Sequence, residues 1–187
     1  MATEAVTKTS KASKTSQTSI VLLPDAGPLI TLAYADALDL LLKPGWPVNL
    51  VDMVLHEVTR NATPTSEKIR RWVTEHSIPV LSTRTFQRYL AAQSSGETPR
   101  KANLGELTIQ ETMTDLAFAA PATTGVFLFE DHKIARASFL LPANCRKIST
   151  RAWLLFLEGQ GWIDSAAEIE RAAIANGRSF SRLRFPP

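Results

Sequence analysis

Residues 20–33 read IVLLPDAGPLITLA. Ile20, Val21, Leu22 and Leu23 run together without polar alternation, the pattern of a strand buried on both faces of a parallel sheet. A proline and one carboxylate, Asp25, follow. Pro28, with its fixed φ, suits the first turn of a helix that continues through Leu29, Ile30 and Leu32. A strand that hands its chain through an acid to a helix is the first half of a β-α-β unit. In open α/β sheets ligands gather at the carboxyl ends of the strands, which is where Asp25 falls.

The same alternation recurs outward from this stretch. "LITLAYADALDLLLK" continues as one or two helices and is stopped by "PGWP". "VNLVD" (48–52) reads as a second strand and "MVLHEVTR" as a helix. "TPTSEKIRRWVTEHS" offers a Thr or Ser cap and an Ile69/Trp72/Val73 stripe. "IPVLS" (78–82) is a third strand, "TRTFQRYLAAQ" a helix and "SSGETPRKA" a loop. A long helix is predicted from Asn103 to about Ala119, then a fourth strand in "TGVFLFED" and a helix in "HKIARASFLL". "ANCRKIS" is a fifth strand, and two helices follow in "TRAWLLFLEGQG" and "DSAAEIERAAIANG". Strands alternating with helices predict a three-layer α/β/α sandwich around a mostly parallel sheet of about five strands.

The chain has 187 residues, 44% hydrophobic and 21% charged, which suits one globular domain with tails. Residues 1–19, almost all Thr, Ser, Ala and Lys, are too polar to bury a core and are expected to be disordered. They also lack the apolar segment of a secretory signal. The domain is expected over 20–175, with a C-terminal tail over 176–187. The lone Cys145 has no partner for an internal disulfide, in keeping with a cytoplasmic protein. No apolar run approaches the length of about 18 residues that a membrane span needs, so no membrane is expected. A net charge of +3 and a pI near 9.2 are compatible with a polyanionic partner such as RNA.

Four acids stand out. Asp25 follows the first strand and Asp131 the fourth, so a parallel sheet brings both to one edge. Glu57 lies between Val54 and Val58 on the apolar stripe of its helix. Glu106 precedes Ile109, Met113 and Leu116, at the head of another such stripe. Acids rarely face inward without compensation. Glu111 and Asp115 serve as controls. They are roughly 140° and 180° around the helix from Glu106 and are expected to face solvent. Each of the four also has an ordinary explanation: Asp25 and Asp131 as helix caps, Glu106 as a first-turn acid, Glu57 as partly exposed. Four carboxylates in one cleft repel one another, and a hard Mg²⁺ or Mn²⁺ ion relieves this. Such an ion suits phosphodiester hydrolysis.

At these stations the sequence resembles the PIN-domain nucleases, in particular their bacterial and archaeal toxin-like branch. The pieces that carry the resemblance are "LLPDAGPLITLA", "VDMVLHEVTR", "NLGELTIQE" and "VFLFEDHKIAR", with "STRAWLLFLEGQGWIDS" after them. The resemblance implies a compact α/β/α fold and Mg²⁺- or Mn²⁺-dependent cleavage of RNA. Asp25, Glu57, Glu106 and Asp131 would act as both catalytic groups and metal ligands. For the toxin branch it implies a small antitoxin partner and a homodimer. The chain departs from the pattern at Ala26 and at Phe129-Glu130, where many members carry a hydroxyl residue.

These departures motivate an alternative, a catalytically inactive PIN-like scaffold that binds RNA or a protein partner. A phosphoacceptor signalling domain also gathers acids at strand ends, but it wants paired acids after the first strand. RNA contacts are expected from Lys133 and Arg136 beside the last acid, and from Arg84, Arg88, Arg100 and Lys101 around the loop before Glu106. His56 and His76 have no partner at metal-ligand spacing, and no nucleotide-binding glycine motif occurs.

Overall fold

The computed structural model describes residues 19–96, 104–130 and 141–179. Asp131, Lys133, Arg136, Arg100 and Lys101 lie outside these residues, as do most of the polar N-terminal stretch and the helix expected in "HKIARASFLL".

Among the described residues the chain is α/β. Strand β1 (Ser19–Pro24) leads into helix α1 (Ala26–Tyr34) and a 3-10 turn (Leu38–Leu41). Then come β2 (Leu50–Val51), α2 (Asp52–Thr59), α3 (Pro64–Glu75), β3 (Val80–Leu81) and α4 (Arg84–Ser94). The second half holds α5 (Leu104–Ala119), β4 (Thr123–Phe129), β5 (Cys145–Ser149), α6 (Thr150–Gly159) and α7 (Ala166–Ala175). Every strand pairing is parallel. β1, β4 and β5 form a three-stranded sheet in the order β1-β4-β5, and β2 pairs with β3. One parallel bridge, Leu22 with Val48, joins the two ladders through Leu22 N to Pro47 O (2.8 Å) and Asn49 N to Leu22 O (3.0 Å).

β1 thus has a partner on each side, and its unbroken apolar run follows from this. Leu22 and Leu23 are no more than 2% exposed. Helices cover both faces. A Cβ on Gly125 would stand 2.7 Å from Leu116 Cδ2 of α5, so the glycine lets that leucine lie flat on the strand. Cys145, paired with Gly125 and buried, is on that same face. Glu130, of opposite parity just past β4, meets Thr31 of α1 instead.

Local chemistry sets the helix starts. α1 begins at Ala26, two residues before the proline from which a helix was expected. Its first-turn amides have no intrahelical acceptor, so Pro28 loses nothing there. Thr63 and Ser66 form a reciprocal capping box with Pro64 at the first position of α3, and Ile69 and Trp72 are buried as the stripe requires. Asp36, in the left-handed region at φ 52°, ends the first helical stretch. No helix among the described residues is long and apolar enough to cross a membrane.

Candidate functional site

Asp25 sits where β1 passes into α1. Its amide donates to Leu128 O at 2.8 Å, which extends the β1–β4 pairing to this residue, and its carbonyl accepts from Leu29 N at 3.3 Å. It occupies the N-cap position of α1, yet its side chain makes no capping bond to that helix. Capping therefore does not account for a carboxylate here.

Glu57 lies on α2 between Val54 and Val58, both buried. Its carboxylate rests against the first turn of α5. A Cβ on Gly105 would stand 3.3 Å from one Glu57 oxygen and 3.4 Å from the other. Glycine therefore lets α5 approach, and Glu57 lies beside the residue that precedes Glu106. Burial pushes the Glu57 pKa up, opposed only in part by the charge of Arg60. No donor among the described residues hydrogen-bonds to it. Glu106 stands in the first turn of α5, half-buried, three residues before the fully packed Ile109.

Glu111 departs from the expectation that it faces solvent. Its side chain is only 11% exposed. The first turn of α4 is aimed at it: Arg84 N and Nε each donate at 2.8 Å, Thr85 Oγ1 at 2.8 Å and Thr85 N at 3.1 Å. Burial raises its pKa, but these bonds outweigh that effect and bring it down to about 2. Asp115, the other control, is 61% exposed as expected and pairs with Arg84 at 3.2 Å. Arg84 is thereby committed to α5, and its pKa is raised by the Glu111 bond first and by the charges of Asp115 and Glu111. Its side chain nonetheless stays 72% exposed. Arg88 is exposed.

A buried network beside Asp25 went unread in the sequence. Glu130 accepts from Thr31 Oγ1, which stands 2.8 and 2.9 Å from its two oxygens, and from Arg178 Nη2 at 2.6 Å. Its side chain is 9% exposed. Glu130 had been noticed only as a departure from a hydroxyl pattern. The signal that would have found it is Gly27, where a Cβ would fall 2.8 Å from the Glu130 Cβ. Asp52 is similarly committed, accepting from Thr83 N at 2.7 Å and Thr83 Oγ1 at 2.8 Å.

Three of the four expected site acids lie on described elements, at the end of β1, on α2 and in the first turn of α5. All offer hard oxygen donors of the kind a divalent cation takes. Among the described residues, however, no three His, Cys, Asp or Glu side chains converge closely enough to hold a metal ion. Asp131 is not among them. No family model, curated protein or solved structure matches the chain.

Proposed function

We propose that the chain is a PIN-like endoribonuclease that cleaves RNA phosphodiester bonds with Mg²⁺ or Mn²⁺, and that it is the toxin of a toxin–antitoxin pair. In this reading it is cytoplasmic, is blocked by a small antitoxin protein and forms a homodimer. The sheet is read as five parallel strands in the order β3-β2-β1-β4-β5 across the Leu22–Val48 bridge, the middle layer of an α/β/α sandwich.

The observation that carries the reading is Glu57. It is a half-buried carboxylate with a raised pKa, held against Gly105 and hydrogen-bonded by no donor among the described residues. A carboxylate whose charge is disfavoured by burial and met by no protein donor is a candidate ligand for a cation. Asp25, Glu57, Glu106 and Asp131 would hold the cation. When bound, the cation polarises a phosphoryl oxygen and lowers the pKa of an attacking water. The carboxylates orient that water and balance the charge of the cation. Lys133, Arg136, Arg100 and Lys101 would neutralise substrate phosphates, each contact steepening the salt dependence of binding.

The test is incubation of the purified chain with single-stranded RNA and Mg²⁺ or Mn²⁺. Asp25→Asn is expected to lower cleavage by about two orders of magnitude. Cleavage that survives both this substitution and chelation refutes the mechanism. One observation favours a second reading, a PIN-like scaffold that binds RNA or a protein without cutting: no three described acids converge. Calorimetric titration with Mn²⁺ separates the two readings, because an inactive scaffold binds the ion weakly or not at all.

A further inference from the structure

The β1–β4 register ends at Pro24 and Leu128, with Asp25 N donating to Leu128 O, while β4 stays paired with β5 as far as Phe129. The network around Glu130 begins where the β1–β4 register ends. Thr31, on the second turn of α1, is 1% exposed, and its single proton serves the Glu130 carboxylate while its lone pairs accept from Arg178 Nε at 2.8 Å. Arg178 Nη2 binds the same carboxylate. One planar guanidinium therefore spans a hydroxyl on α1 and a carboxylate at the tip of β4, a geometry that the single ammonium of lysine does not reproduce. Gly27 brings the first turn of α1 against Glu130.

The arginine is itself held. Its amide donates to Ala173 O at 2.9 Å, closing the end of α7. Gly177 turns the chain at φ 104°, and Asn176 Nδ2 donates to Tyr34 O at 2.8 Å. Residues 176–178, at the head of the expected C-terminal tail, are thus a bracket fixed to α1. None of Thr31, Glu130 and Arg178 takes part in the hydrolysis proposed above.

We propose that Arg178 is a positioning residue: it locks the tip of β4 onto the first two turns of α1 and so fixes the place of Asp25. The catalytic consequence rests on the nuclease reading given above; the positioning itself does not. Small displacements of a reacting group cost large factors in rate, so the lock acts on turnover more than on substrate binding.

The experiment compares full-length Arg178→Met and Arg178→Lys with the unaltered chain by amide exchange and by Mn²⁺-dependent RNA cleavage. In Arg178→Met the amides of Asp25 and Leu29 exchange at least about tenfold faster, while that of Ile148 in β5 keeps its rate. Its kcat falls at least about tenfold, with KM for RNA changed less than about threefold. Arg178→Lys, which keeps the charge without the fork, falls between, and it supplies the comparison if Arg178→Met does not fold. Unchanged exchange at Asp25 and Leu29 overturns the proposal. So does an equal rise in exchange at Ile148, which marks general destabilisation. If the unaltered chain neither binds Mn²⁺ nor cleaves RNA, the nuclease reading falls, and the exchange rates alone decide whether Arg178 holds the strand tip.

Discussion

Glu57 on α2 and Glu111 on α5 are both partly buried glutamates on helices, and the protein treats them in opposite ways. Glu111 receives four donors from the first turn of α4, and its pKa drops to about 2 although burial pushes it the other way. Glu57 is pushed up by burial, receives no such bond among the described residues and has only the field of Arg60 in its favour. The first carboxylate adds to the Thr83 cap of α4 and ties α4 to α5. The second lies against Gly105 in the first turn of α5 and meets no donor among the described residues. The first is a structural tie, and the second is the group on which the proposed function rests.

RNA cleavage gives the largest contrast. Glu57→Gln is expected to lower the Mn²⁺-dependent rate about 100-fold, equivalent to about 2.7 kcal/mol, and Glu111→Gln less than about threefold. A rate assay in which Glu111→Gln is the more damaging of the two breaks the comparison.

Stability is expected to rank the pair in reverse. Glu111→Ala removes the acceptor of two backbone amides and a hydroxyl at the start of α4, a loss of about 2 kcal/mol in urea unfolding at neutral pH. Glu57→Gln removes a charge that is costly to bury and gains up to about 1 kcal/mol, the usual trade between function and stability.

The smallest effect, and the sharpest in sign, lies in pH. Glu111 has a folded pKa below its unfolded one, so its contribution is fully present above about pH 4.5 and is lost as pH falls towards 2. Its partner Arg84 is 72% exposed, so screening by solvent limits the contribution to about 1 kcal/mol. Glu57 runs the other way. Its folded pKa is raised, so its ionised form costs stability at neutral pH; the cost shrinks as pH falls below that pKa and is gone below about 4.5. Unfolding curves of Glu111→Gln and the unaltered chain should converge on acidification towards pH 2. Those of Glu57→Gln should converge sooner, once pH has fallen below about 4.5.

The order of strands and helices was legible because buried parallel strands leave unbroken apolar runs and amphipathic helices leave stripes. Ile20 to Leu23 and Val126 to Phe129 are such runs, and Ile69 with Trp72 is such a stripe. Glu111 was misread for an instructive reason. A helical wheel assigns a residue to solvent when it points away from that helix's own core, and it carries no knowledge of a second helix whose first turn points back. α4 does so, and Arg84 is separated from Glu111 by 27 residues of chain. Glu130 was hidden similarly, since its partners Thr31 and Arg178 lie 99 and 48 residues away. Asp25 and Glu57 stand out in the sequence because each breaks a local apolar pattern, a signal contained within one element.

The Leu22–Val48 bridge has a consequence for motion. β1 separates from β4 only by undoing a six-residue ladder, but from the β2 side by breaking two hydrogen bonds. Breathing of the sheet therefore starts along this seam, as local opening follows the fewest shared bonds. A cleft of about 310 Å³ runs there, lined by Val21, Leu23, Asn49 and Leu81 and roofed by Leu116 of α5. Each opening wets the underside of α5, so the helix that carries Glu106 is also the one whose footing loosens first.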